Sequence, residues 1–296
     1  MTKTFRIAHI SDLHIGKFSW NPAQFFSKRW VGNLNFLFNR STTFSTDNLL
    51  SFIPWLQENN IDQIIITGDL STTGRKAEFS KARQIVETFT DKGFPVICLP
   101  GNHDHYTKKN YRQKTFYQFF ENPSPRFFSL KQYGLEAGPL FENFWYVALD
   151  TSIATSLFDA SGVFSEDLEK RLIELFSLIP EKVQILLLNH FPLYCNDEKK
   201  KQLHRSEALL KVLQNTKRVC LYLHGHSHRS CLADLRGSNL PILLDAGSFC
   251  YRLRSSFNLI TLSENSLEIE ILEKKKHLWE NVRKETFSFL DKSSTL

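Results

Sequence analysis

Six short apolar runs, FRIAHI, IDQIIITGD, FPVICLPGN, FWYVALD, VQILLLNHF and VCLYLHGH, recur along the chain, with amphipathic stretches between several of them. Runs of this length, rich in Ile, Val and Leu, fit strands buried on both faces better than helices. The 3.6-residue patterns between them predict helices near 44–58, 76–90, 166–178 and 204–214. Such alternation specifies a layered α/β fold. Beyond His228 the runs CLADL, PILLDA, FNLITL and SLEIEIL follow one another without helices, which predicts an antiparallel portion near the C-terminus. The closing KKKHLWENVRKETFSFL reads as an exposed or loosely docked helix before a polar tail.

With 296 residues, 42% of them hydrophobic, the chain can bury one large core. One domain over residues 1–275 is therefore expected, with 276–296 as the terminal helix and tail. The formal charge of +6 and pI near 9.0 favour anionic partners, although an excess of lysine also serves solubility. The five cysteines are odd in number and lack a CxxC spacing, so they read as reduced core thiols. MTKTFRIAHISD runs straight into the first strand without a signal-type apolar stretch, and no segment reaches the ~20 apolar residues of a membrane span. These features predict a cytoplasmic protein, and the sequon at Asn39 then has no meaning.

Nearly every predicted strand ends in residues of metal-ligand type. FRIAHI leads to Asp12 and His14, IIIT to Gly68 and Asp69, and VICLP to Gly101, Asn102, His103 and Asp104. LLL leads to Asn189 and His190, and the last run leads to His224, His226 and His228. Taken singly, each cluster has a structural explanation: a turn, a cap, or a satisfied core histidine. Five such ends in one chain call for a common site, because ligands of open α/β sheets bind outside the carboxyl ends of strands.

The ordered set DLH, GDL, GNHD, NH, GHSH resembles the calcineurin-like metallophosphoesterase superfamily over roughly residues 5–270. That resemblance implies a four-layer fold, a central β-sandwich flanked by helices, with two divalent metals at the strand ends. It also implies that Asp12, His14 and His228 hold one metal, that Asn102, His190 and His226 hold the other, and that Asp69 bridges both. His224 is left over and reads as structural. Two metals ease attack on a phosphodiester by acidifying a bridging water and clamping the phosphoryl oxygens. Mixed oxygen and nitrogen donors suit Mn, with Fe or Zn as alternatives, better than Mg. His103 is assigned as the general acid for the leaving alkoxide, against the alternative of orienting Asn102. Asp104 would orient His103 or cap a turn. His105, Arg75 and Arg112 are the candidate substrate contacts.

GDLSTTG departs from the GDxxDRG of the Ser/Thr protein phosphatases, and the full motif order is instead similar to the class III cyclic-nucleotide phosphodiesterase branch. A phosphodiesterase is thus the leading expectation. The insertion KFSWNPAQFFSKRWVGNLNFLFNR carries Lys17, Lys28, Arg29 and Arg40, no acid and seven aromatic residues. Two readings of residues 17–43 stay open: a helix packed on the sandwich, or a flap touching acyl chains or the bilayer surface. The second goes with an alternative function, a lipid-linked nucleotide pyrophosphatase such as UDP-2,3-diacylglucosamine hydrolase, known among the superfamily's members. Nucleic acid is disfavoured as a partner, since the chain lacks a long basic groove pattern. A catalytically inactive metal-binding scaffold should lack some ligands or the acid, whereas here all are present.

Overall fold

The computed structural model of the chain describes residues 3–16, 47–123, 125–156, 158–194, 198–276 and 278–289. The strands are β1 (Thr4–Ile10), β2 (Gln63–Ile66), β3 (Val96–Cys98), β4 (Phe127–Ser129), β5 (Leu135–Phe141), β6 (Phe144–Leu149), β7 (Gly162–Val163), β8 (Gln184–Leu188), β9 (Leu203–His204), β10 (Val219–His224), β11 (Ser230–Asp234), β12 (Ile242–Ala246), β13 (Ser256–Ser263), β14 (Ser266–Lys275) and β15 (Leu278–Ser288). The helices are α1 (Asp47–Glu58), α2 (Lys76–Asp91), α3 (Lys108–Arg112), α4 (Leu130–Tyr133), α5 (Glu166–Leu178) and α6 (Ser206–Thr216).

One sheet has the order β15-β14-β13-β1-β2-β3, the other β11-β12-β10-β8-β6-β5-β4, and β7 pairs with β9. Within the first, β1, β2 and β3 run parallel; within the second, β6, β8, β10 and β12 do. Side-chain alternation divides the second sheet between two cores. Tyr146, Ala148, Leu186, Leu188, Leu221 and Leu223 join the first sheet's Ile7, Ile64 and Ile66 in one apolar cluster. Trp145, Val147, Ile185, Leu187 and Tyr222 face the other way, onto Leu172 and Leu175 of α5 and Leu209 and Leu213 of α6. Phe52 of α1 and Phe79 of α2 belong to the first cluster, so helices flank the sandwich on both sides. Each fully buried Leu or Ile contributes about 1.5–3 kcal/mol, and the sandwich buries them on both faces of the parallel strands.

Local signals set the element ends. Ser165 caps α5 by accepting from the Leu168 amide at 3.2 Å, and Glu166, Asp167 and Glu169 in the first turn oppose the helix dipole. Ile179, extended ahead of Pro180, ends it. Among the described residues no helix is long and apolar enough to cross a membrane.

The C-terminal expectation of a helix is corrected. Residues 278–288 form β15, an antiparallel partner of β14 from Ser266↔Ser288 to Lys275↔Leu278. Lys and Glu made the segment look helical, but tertiary pairing decides here. Trp279 stacks on Phe249 at 5.3 Å, and Lys284 reaches Glu268 on the neighbouring strand at 2.8 Å. β15 is therefore part of the first sheet, and the boundary expected at 275 falls between two paired strands. The short β4 and β5 were also not foreseen.

His9 of β1 is fully buried between Asn258 Nδ2, which donates to its Nδ1 at 3.1 Å, and Thr67 Oγ1 at 2.9 Å from its Nε2. Burial, helped by nearby His224, lowers its pKa from 6.5 to about 3. Between those values the unfolded chain binds a proton that the folded one refuses, so stability falls as pH drops below 6.5. Going from about pH 7.5 to about pH 5 should cost the wild type about 2 kcal/mol more than His9→Gln. Urea unfolding of both proteins at the two pH values measures that difference, and equal losses would contradict it.

Candidate metal centre

The five polar segments lie at the carboxyl ends of β1, β2, β3, β8 and β10, and short backbone bonds stitch them together. The Asp12 amide donates to Gly68 O at 3.1 Å, the His14 amide to Asp69 O at 2.9 Å, and the Gly225 amide to His190 O at 3.1 Å. Asp12, His14, Asp69, His226 and His228 all adopt left-handed backbone conformations, with φ between 47° and 69°. Non-glycine residues rarely do so, and such strain gathers where function requires it.

Three imidazoles have their tautomers fixed by carbonyl acceptors. Nδ1–H of His190 donates to Thr67 O at 2.7 Å, and Nε2–H of His226 donates to Lys201 O at 3.0 Å. Their other nitrogens carry lone pairs, and both point at Asn102 Oδ1, at 3.2 and 3.0 Å. Burial lowers the pKa of His190, and burial with its neighbour His190 takes His226 down to about 3, so protons do not relieve this convergence of acceptors. A cation would relieve it. Nitrogen ligands whose other N–H is held by a carbonyl are the arrangement metal sites use. The third such ring is His103, whose Nδ1–H donates to Thr72 O at 2.7 Å.

A second convergence lies beside the first. His14 Nε2 and His228 Nε2 stand 2.9 Å apart, and Asp12 Oδ1 lies 3.6 Å from the former and 3.1 Å from the latter. Asp69 sits between the groups, with Oδ2 3.7 Å from His14 Nε2 and Oδ1 3.6 Å from His190 Nε2. Burial alone would raise the Asp12 carboxyl, yet His228, His14 and His190 around it hold it well below the usual carboxylate range. The donor set therefore fits divalent cations. Asp12, His14 and His228 lie within one ion's reach, as do Asp12, Asp69 and His190.

His103 also falls within reach of His14 and Asp69, but it stands to one side. Its Nε2 is 4.0 Å from Asp69 Oδ2 and its side chain is 17% exposed, whereas that of His14 is fully buried. Asp104 does not touch His103's ring. It accepts from the amides of Leu70, Ser71 and Gly101 and from Ser71 Oγ at 2.7–3.1 Å, tying the loops after β2 and β3 together. Burial pushes its carboxyl up against these donors.

The candidate substrate contacts separate. His105 and Arg112 line one cavity of about 380 Å³ with Lys114, Lys131 and Arg171. His105 Nε2 lies 3.1 Å from Asp150 Oδ2, which also accepts from Tyr117 at 2.6 Å. Arg75 is not among that cavity's lining residues; it caps α2 and is held by Thr73 Oγ1 and Glu78. Residues 17–43, the basic and aromatic insertion, lie outside the described residues. Sequence reasoning missed the carbonyls of Thr67, Thr72 and Lys201, because any residue can supply one. It also passed over Asp150, although that residue closes the FWYVALD strand.

The family model for calcineurin-like phosphoesterase matches residues 5–230. A protein of Vesicomyosocius okutanii subsp. Calyptogena okutanii named probable cyclic nucleotide phosphodiesterase is 27% identical over 224 residues, 74% of this chain and 84% of its own. Among solved structures, a dimetal phosphatase from Danio rerio superposes with a TM-score of 0.66 at 15% identity, covering 96% of this chain and 99% of that one. The purple acid phosphatase PPD1 from yellow lupin gives 0.60 at 14% identity, with 97% and 54% covered. These two likenesses establish a shared fold.

The close approach of the last loop to the first explains Gly225. A Cβ there would stand inside contact distance of Ser11 Oγ and Asp12 Oδ2. Gly225→Ala should cost about 1–3 kcal/mol by overpacking and displace Asp12. A lowered urea midpoint together with reduced bound metal, measured by elemental analysis, is the expected outcome.

Proposed function

This chain belongs to the calcineurin-like phosphoesterase family, and from that premise we propose that it hydrolyses a phosphodiester with two divalent metals held by its clustered side chains. In this reading Asp12, His14 and His228 would hold one metal, Asn102, His190 and His226 would hold the other, and Asp69, lying between the two groups, would serve both. The observation that carries it is the convergence of buried lone pairs on Asn102, beside an Asp69 whose two oxygens face different imidazoles. Two such ions, when bound, polarise phosphoryl oxygens and make water a stronger acid. Manganese is the proposed occupant, in keeping with the mixture of carboxylate, amide and imidazole donors.

The protein's own part is to position and to move a proton. Thr72 O fixes the ring of His103, so Nε2 is the atom that would hold the proton for the leaving oxygen. The likeness to a probable cyclic nucleotide phosphodiesterase supports a cyclic nucleotide as the first substrate to try. A cytoplasmic location belongs to the same proposal, in keeping with Cys98, Cys220, Cys231 and Cys250, all free thiols.

One observation favours a second reading. The cavity holding His105 and Arg112 carries four cationic residues against Asp150 and Asp167, and Arg112 makes no ion pair among the described residues. A substrate with a second phosphate, as in UDP-2,3-diacylglucosamine, would match that charge. The 17–43 segment, which this reading uses for lipid contact, lies outside the described residues.

His103→Ala should keep its metal content and lose about 10²- to 10⁴-fold in turnover of bis(4-nitrophenyl) phosphate; full activity would remove the proposed acid. Asp69→Ala should lose two-metal occupancy and activity together, and retention of two ions per chain would show the bridge misplaced. Cyclic AMP and UDP-2,3-diacylglucosamine assayed side by side with Mn²⁺ separate the two substrate readings.

A further inference from the structure

We propose that Asp245, through Ser227, is the positioning residue of the 225–228 loop, and that this clamp sets how tightly His226 and His228 hold their metals. The inference rests on the two-metal reading above. It concerns residues that face away from the metals.

His226 and His228 carry φ values of 69° and 54°, and neither has the freedom of glycine. A loop with two such residues needs fixing from outside. Ser227 lies between them, and its Oγ donates to Asp245 Oδ2 at 2.6 Å while accepting from the Arg229 amide at 3.1 Å. The first bond is short and charge-assisted, so it is the stronger anchor.

Asp245 is itself immobile. It pairs with His224 across β10 and β12, and is 1% exposed. Its Oδ1 accepts from the Gly247 amide at 2.8 Å, and its carbonyl accepts from Asn258 Nδ2 at 3.1 Å. His224, the histidine left over from the metal assignment, places Nδ1 3.2 Å from Asp245 Oδ2. The loop thus has two faces. His226 and His228 turn to the metal cluster, while Ser227, Arg229, His224 and Asp245 line a separate cavity of about 580 Å³. Outer partners of this kind are typically worth about 10- to 100-fold in metal affinity.

The test is the apparent dissociation constant for Mn²⁺ and Zn²⁺, read by competition with a chromophoric chelator. Wild type, Ser227→Ala, Ser227→Thr and Asp245→Asn are compared, with circular dichroism to verify folding. Ser227→Ala and Asp245→Asn should bind about 10- to 100-fold more weakly, and Ser227→Thr, which keeps the hydroxyl, should stay near wild type. Wild-type affinity in Ser227→Ala overturns the clamp, and so does a Ser227→Thr protein as weak as Ser227→Ala, which would mean packing rather than the hydrogen bond. A wild type that binds neither metal overturns the two-metal reading and takes the clamp with it.

Discussion

Lone pairs that face one another in a largely buried cluster are the constraint on which this structure turns. His190 and His226 each give their one proton to a carbonyl and point the remaining nitrogen at the amide oxygen of Asn102. Such an arrangement is unfavourable in a largely buried pocket unless a positive charge enters it. Protonation is opposed by burial, which leaves a metal as the natural solution. The same logic covers Asp12, a carboxylate with no exposure, set against the nitrogens of His14 and His228. Metal binding at such a site is coupled to folding, because these side chains gather only when the five strand ends do.

The sandwich makes that gathering possible. Parallel strands bring successive carboxyl ends to the same edge, and two packed sheets bring β1, β2 and β3 opposite β8 and β10. After β1, β2 and β10 the chain turns sharply within a few residues so that the side chains double back. Left-handed backbone at Asp12, His14, Asp69, His226 and His228 is how it does so. The cost of those conformations is offset by cores that pack both faces of the central strands.

Strands and the polar residues at their ends were legible because their signals are local. Apolar runs of four to six residues followed by Asp, His or Gly-Asn marked β1, β2, β3, β8 and β10, and α5 was read at its observed bounds. Where partners decided the outcome, reading failed. β15 is rich in Lys and Glu, and only the edge offered by β14 makes it a strand. β5 carries Gly138 and Pro139, which disguised it, and its pairing with β6 supplies the missing information. The three tautomer-fixing carbonyls are backbone atoms and leave no trace in residue type. Arg75, Arg112 and His105 each follow a predicted motif, yet only the last two share a cavity.

Acids near the centre do two different things, and their hydrogen bonds tell them apart. Asp12 and Asp69 each accept a backbone amide, from His226 and His103, and turn their remaining capacity toward imidazole nitrogens. Asp104 has its oxygens occupied by three amides and a hydroxyl, and Asp245 by an amide, a hydroxyl and the ring of His224. Each of these acids braces a loop of the cluster: Asp104, with four donors, the loops of Asp69 and Asn102, and Asp245 the loop of His226 and His228. A carboxylate such as Asp104, whose four lone pairs are already taken, competes poorly for a cation and can stand close to the site as scaffold. The same residue type thus either turns toward the imidazoles or braces a loop, according to which donors the fold supplies to it.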